Sequence, residues 1–255
     1  MDYKKLFDLT GKVCIITGGS GHLGAENIKA LKDFGATVIS ADMVEKETVA
    51  DEFFKCDIAS TDSFKELFSY VNEKYGKIDV LINSAAFVRS TGIHRQLEHM
   101  TDELWQLGID GTLSSVFRAI REVTPYMKEN GGSIINYSSM YGVVAPDMKI
   151  YGDQPEQTSP PNYGAAKAGV IQLTRYAASA LAKYGIRVNS VTPGPFPNTA
   201  HSQNEGFNKS LASKTMLGRF GKNTEMAGAV LLLASDASTF MTGSNIVVDG
   251  GWTAW

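Results

Sequence analysis

Tyr163 and Lys167 stand four residues apart in the stretch Asn162-Tyr163-Gly164-Ala165-Ala166-Lys167. On a helix, positions i and i+4 share one face, so the phenol and the ammonium become neighbours. A free tyrosine, with a pKa of about 10, is a poor acid–base group near neutrality. A nearby cation favours the phenolate and lowers that pKa toward a useful range. Spacing alone does not separate such a pair from a solvated helix face; the surrounding elements decide.

Those elements alternate between strand and helix. Val13-Cys14-Ile15-Ile16-Thr17 reads as a strand buried on both faces, and Gly18-Gly19-Ser20-Gly21 follows at once. Apolar residues recur at helical spacing from Leu23 to Phe34, and Gly35 ends the run. Thr37–Ser40 is a second strand closing on Asp42, 18 residues after Gly24. A strand, glycine turn, helix and strand ending in an acid form the layout of a dinucleotide-binding fold. The glycines admit the pyrophosphate, the helix N-terminus favours its charge, and the acid takes the ribose hydroxyls.

The alternation predicts further strands at Phe54–Asp57, Val80–Asn83, Ser133–Tyr137, Arg187–Val191 and Asn245–Val248. Helices are expected from about Asp62 to Tyr75 (capped by Thr61 or Ser60), within Thr101–Met127, and from the Tyr163 region to about Tyr184. Strands alternating with helices imply a doubly wound, Rossmann-like α/β parallel sheet of about seven strands, here one domain over residues 1–255. Residues 145–161 and 194–216, rich in Pro, Gly and polar side chains, follow strand ends and are expected to contact substrate.

Composition narrows the function classes. With 43% hydrophobic and 20% charged residues and a net charge of −3, the chain is an ordinary globular sequence with no basic stripe for nucleic acid. Cys14 and Cys56 sit in apolar runs and read as buried thiols of a reducing compartment; the four histidines have no metal-ligand spacing, so no metal is expected. No signal-peptide core opens the sequence and no apolar run reaches membrane-span length, so the expectation is a cytoplasmic protein without a membrane partner.

With these residues in place the chain resembles the short-chain dehydrogenase/reductase family over essentially its whole length. The markers are Thr17-Gly18 with Gly21 and Gly24, Asn83-Ser84-Ala85-Ala86, Ser138-Ser139, Tyr163 with Lys167, Pro193-Gly194 and Val248-Asp249-Gly250-Gly251. The resemblance implies that Tyr163 is the general acid–base, that Lys167 binds the nicotinamide ribose and lowers the tyrosine pKa, and that Ser139 hydrogen-bonds the substrate oxygen, with Ser138 as the alternative. It places Gly18, Ser20, Gly21, His22, Leu23 and Gly24 around the pyrophosphate. It also implies Asp42 at the ribose, Asp57 and Ile58 at the adenine, Asn83 and Ala85 along the cofactor, and Pro193, Gly194 and Thr199 on the nicotinamide side. Asp42, followed by Met43 and Val44 and no arginine, favours NAD(H): two unit charges 4 Å apart cost about 4 kcal/mol at an effective dielectric near 20.

Three departures from the family pattern matter. The turn reads TGGSGHLG, with His22 where the short branch has glycine; its spacing is that of a longer branch often handling nucleotide sugars. His22 either faces outward or meets the pyrophosphate. Thr112 aligns with the family's relay asparagine, which makes it the fourth catalytic candidate, with a hydroxyl but no amide. Ser139 and Tyr163 are 24 residues apart, against about a dozen in the family; Tyr151 has the usual spacing but Pro155 where a lysine is needed.

The expected activity is an NAD-dependent interconversion of a secondary alcohol and a ketone on a small polyol, sugar or sugar nucleotide. Reduction of a 3-oxoacyl thioester is the enzymatic alternative, and an NAD-binding regulator or scaffold the alternative of another class. Homo-oligomerisation as a tetramer or dimer is implied by resemblance, with Trp252 and Trp255 expected at a subunit interface.

Overall fold

In a computed structural model, residues 2–88, 90–152, 158–197 and 205–255 are described. Seven strands form one fully parallel sheet: β1 (Val13–Thr17), β2 (Thr37–Asp42), β3 (Glu52–Lys55), β4 (Val80–Asn83), β5 (Gly132–Tyr137), β6 (Ile186–Pro193) and β7 (Asn245–Val248). Their order is β3-β2-β1-β4-β5-β6-β7. The strand order reverses between β1 and β4, which pair in parallel with Cys14 opposite Val80 and Thr17 opposite Asn83. An open sheet binds its ligand at such a switch point, beyond the strand carboxyl ends.

Burial follows the strand period of two. On one side, Val13, Ile15 and Ile39 meet α2 (Thr61–Tyr75), α4 (Ser115–Met127) and α5 (Pro161–Leu181) through Phe64, Phe68, Val123 and Val170. On the other, Cys14, Ile16 and Val38 meet α1 (His22–Asp33) and α7 (Thr224–Ala234) through Ile28, Leu31 and Val230. Both thiols are free and buried, and burial pushes them up, Cys56 to about 11.

Several boundaries differ from the sequence reading. The third strand ends at Lys55, so Cys56 and Asp57 lie beyond it: Asp57 Oδ1 accepts from the Ala59 N–H at 2.9 Å, and an aspartate that caps a turn cannot extend a ladder. Ser60 caps α2, its hydroxyl accepting from Ser63 N–H at 3.2 Å. The 101–127 region holds α3 (Asp102–Ile109) and α4 joined by a π-helical turn, Asp110–Ser114. Among the described residues no helix is long and apolar enough to cross a membrane.

Trp252 departs from the interface expectation. It is 7% exposed within the chain itself, its ring edge-on to Tyr141 at 6.3 Å. Asp249 holds this turn by accepting from Gly251 N–H, Thr253 N–H and the Thr253 hydroxyl at 2.7–2.8 Å. Trp255 is exposed.

Candidate active site

Two cavities meet at Tyr163. A cleft of about 590 Å³ runs over the strand ends, from Asp42 and Asp57 past Ala85 to Lys167 and Pro193. A chamber of about 410 Å³ lies beyond it, walled by Ser139, Tyr141, Tyr151, Gly194 and Phe207. Both volumes fall in the range of small-molecule sites.

The glycine turn forms the floor of the cleft. A Cβ on Gly24 would stand 2.1 Å from the Gly18 carbonyl oxygen, and one on Gly18, at φ +74°, would stand 2.9 Å from the Ala85 backbone. These close approaches leave the backbone bare beside α1, whose first turn has no side-chain cap. Uncapped N–H groups at a helix start suit an anion. The Ser20 hydroxyl, buried and without a partner, lies in the same turn. At the cleft's far end Asp42 accepts from Ser20 N–H at 3.1 Å and Met43 N–H at 2.7 Å, which aims its carboxylate. These features fit a dinucleotide: bare backbone for a pyrophosphate, a fixed acid for two ribose hydroxyls.

A polar chain carries the catalytic candidates to the other end. Asn83 donates to Asn136 at 2.8 Å, Asn136 to the Thr174 hydroxyl at 2.9 Å, and Thr174 to the Val170 carbonyl at 2.8 Å. Ser138 donates to the Lys167 carbonyl at 2.9 Å. These bonds dock α5 against β5, while Asn162 donates to the Leu104 carbonyl at 2.8 Å and ties the start of α5 to α3. The two serines therefore separate. Ser138 is spent on the helix backbone, whereas Ser139 lines the chamber with Tyr163, its hydroxyl accepting from Tyr141 N–H at 3.2 Å.

Tyr163 and Lys167 share one helix face, Nζ lying 5.7 Å from the ring centroid. The expected electrostatics are not what this arrangement produces. Burial raises the Tyr163 pKa, opposed by the Ser139 hydrogen bond. Lys167 donates to the Tyr137 carbonyl at 2.6 Å, and burial lowers its pKa to about 8. Desolvation by burial pushes each group toward its neutral form.

Other expected residues divide. Gly18, Gly21, His22, Leu23, Gly24, Asp42, Asp57, Ile58, Ala85 and Pro193 line the cleft, and Gly194 lines the chamber. His22 also faces Asn223, its Nδ1 3.2 Å from that amide nitrogen. The Asn83 side chain does not line the cleft, because its amide is committed to Asn136. Thr112 is fully buried and lines neither cavity; its hydroxyl donates to the Phe87 carbonyl at 3.5 Å. The reason is local: Phe87 N–H donates to the Gly111 carbonyl at 3.2 Å, so the π-helical turn packs directly on this loop. Asp110 turns aside to pair with Arg118. Thr199 lies outside the described residues.

Sequence reasoning missed three chamber residues. The Tyr141 and Tyr151 hydroxyls are 2.8 Å apart, and Arg95 joins the same wall. Tyr151 has the family spacing from Ser139 but no lysine four residues on; Tyr141 and Arg95 belong to no motif. Among the described residues no His, Cys, Asp and Glu cluster could hold a metal.

The comparisons agree with this geometry. A family profile described as enoyl-(acyl carrier protein) reductase matches residues 22–253. A 3-oxoacyl-[acyl-carrier-protein] reductase of Thermotoga maritima is 39% identical over 95% of this chain and 98% of its own length. A trans-4-hydroxycyclohexanecarboxylate dehydrogenase of Sinomonas cyclohexanicum is 34% identical over 95% and 93%. A solved short-chain dehydrogenase of Leptospira borgpetersenii with bound NAD+ superposes with TM-score 0.83 at 33% identity, over 99% of this chain and 97% of that one. With a seven-stranded doubly wound sheet, its glycine turn and its Tyr–Lys helix, the chain belongs to the short-chain dehydrogenase/reductase family, oxidoreductases acting on CH–OH groups.

Proposed function

We propose that the protein interconverts a secondary alcohol and a ketone with NAD(H), on a polyol, sugar or sugar-nucleotide substrate. The observation that carries this reading is the position of Tyr163, at the junction of the cleft and the chamber, with Ser139 on the same chamber wall. A carbinol in the chamber would set its oxygen between these two hydroxyls. Tyr163 Oη takes the hydroxyl proton on oxidation and returns it on reduction. Ser139 donates to the oxygen as negative charge develops there. Lys167 would meet the ribose on the cleft side, and Gly18, Gly24 and the first turn of α1 would hold the pyrophosphate. When bound, the nicotinamide supplies the hydride acceptor or donor.

Asp42 supports NAD(H) over NADP(H), since its fixed carboxylate would repel a 2′-phosphate. The hydroxyls of Tyr141, Tyr151 and Ser159 along the chamber support a substrate with several hydroxyl groups. The similarity to the Thermotoga reductase favours a second reading, reduction of a 3-oxoacyl thioester. A homo-oligomer fits the exposed Phe117 on α4 and Tyr176 on α5, and sedimentation as a monomer at working concentration would oppose it.

The test is NAD+ reduction over polyols, sugars, sugar nucleotides and hydroxy acids, beside NADH oxidation with acetoacetyl-coenzyme A. Tyr163→Phe should cut turnover by about 100- to 10,000-fold, the usual span for a general acid–base, while NADH binding followed by fluorescence persists. Turnover retained in that variant refutes the catalytic assignment. No hydride transfer by the wild type across the whole screen would favour a binding protein.

A further inference from the structure

The chamber wall contains one cation that the proposed reaction does not use. Arg95 ends a short 3-10 turn, Gly92–Arg95, in the segment after β4. Its Nε donates to the Thr158 carbonyl at 2.6 Å, which fixes the plane of the guanidinium. A guanidinium has five N–H donors, and among the described residues none takes those of the two terminal nitrogens, which suit a planar, two-oxygen partner. Among the described residues that line the chamber, Arg95 is the one charged side chain; the others are hydroxyl-bearing, aromatic, aliphatic, proline or glycine.

No described carboxylate answers this charge. Burial lowers the Arg95 pKa, and the one charge influence on it comes from Tyr151. Glu98 borders the cavity on the other side of Arg95 without forming an ion pair with it. A part-buried cation is costly unless an anion meets it. Here Arg95 lines the same chamber as Ser139 and Tyr163.

We propose that Arg95 is a specificity-determining residue and that the substrate carries an anionic group, a carboxylate or a phosphate, held by its guanidinium while the carbinol carbon faces Tyr163. The inference rests on the alcohol–ketone reading above. It refines the substrate class from a polyhydroxylated alcohol to an acidic one.

The experiment uses the purified full chain, NAD+ and matched pairs that differ in one anionic group. Gluconate is set against glucitol, and trans-4-hydroxycyclohexanecarboxylate against trans-4-methylcyclohexanol, for the carboxylate. Glucitol 6-phosphate against glucitol serves for the phosphate. The acidic member should have the higher kcat/KM, and whichever pair shows it identifies the anion. Arg95→Gln should lower kcat/KM for the acid by about 10- to 100-fold, chiefly through KM, as expected for loss of a charged hydrogen-bonding partner. The neutral partner should be unaffected, and Arg95→Lys should keep part of the preference. Equal use of acid and neutral members overturns the proposal. So does a loss in Arg95→Gln that falls on both alike, the result of a side chain that only clamps the Thr158 loop. If no alcohol in any pair is oxidised, the alcohol–ketone reading falls for these substrates, and calorimetric titration of the NADH complex with gluconate and glucitol 6-phosphate still decides the arginine. Binding lost in Arg95→Gln supports the anion site, and equal or absent binding in wild type and variant overturns it. Thermal melting of both variants confirms that each is folded.

Discussion

Replacing Lys167 with methionine should abolish turnover and, at neutral pH without cofactor, make the protein more stable. The ammonium is 4% exposed, and burial takes its pKa from 10.5 to about 8. That drop is worth about 3 kcal/mol at about 1.36 kcal/mol per unit. Methionine removes the penalty and fills similar space, but it abandons the Tyr137 carbonyl, which accepts from Nζ at 2.6 Å. A hydrogen bond to a charged group is worth about 1.5–3 kcal/mol, so the net gain is about 1 kcal/mol. In a domain of this size that raises Tm by about 2–4 °C.

The pH dependence separates this cause from generic repacking. The folded-state pKa is depressed, so between pH 8 and 10.5 the unfolded chain holds a proton that the folded chain has released. Wild-type stability therefore rises with pH across that window, and the penalty is complete only below it. The advantage of Lys167→Met should be full at pH 7, shrink above pH 8 and reverse before 10.5, where the penalty is gone and only the lost hydrogen bond to Tyr137 remains. Differential scanning fluorimetry at intervals from pH 6.5 to about 10.5 measures it. A variant no more stable than wild type at pH 7, or an advantage that does not shrink with pH, would refute the reasoning.

Three further outcomes follow from the same geometry. Ser139→Ala should lower kcat by about 100-fold with little change in melting, whereas Ser138→Ala, which breaks a bond to the Lys167 carbonyl, should cost about 1 kcal/mol in urea unfolding. Gly24→Ala drives a methyl against the Gly18 carbonyl, 2.1 Å away; it should destabilise by about 1–3 kcal/mol and weaken NADH binding in a fluorescence titration. Asp42→Ala should raise the NADP+ to NAD+ ratio of kcat/KM by at least about 10-fold, as relief of a like-charge repulsion requires; an unchanged ratio counts against Asp42 as the selector.

The parallel sheet was legible because its strands are unbroken β-branched runs and its helices carry the 3.6 period, two patterns that need no long-range information. The glycine turn, Asp42 and the Tyr163–Lys167 pair were legible because backbone approach and side-chain type depend on local sequence. The third strand was misplaced by two residues because β3 is a short edge strand whose limits are set by pairing with β2, with Asp42 opposite Lys55. The Asn83 amide bonds Asn136, 53 residues away, a partner that no local motif specifies.

By itself the sequence determined a nucleotide-binding parallel sheet and a phenol beside an ammonium on one helix. Only the tertiary structure decided which serine faces Tyr163, because Ser138 and Ser139 differ in sequence by one step and in space by which side of the strand end they occupy. It also decided that Lys167 is desolvated, when the sequence offered only a cation to lower the tyrosine pKa. And it brought Arg95, Tyr141 and Tyr151 to one wall. Arg95 comes from the segment after β4 and the two tyrosines from the connection between β5 and α5, and no spacing rule links the one to the other. Their proximity follows from where β4, β5 and α5 end, a property of the packed sheet rather than of any stretch of chain.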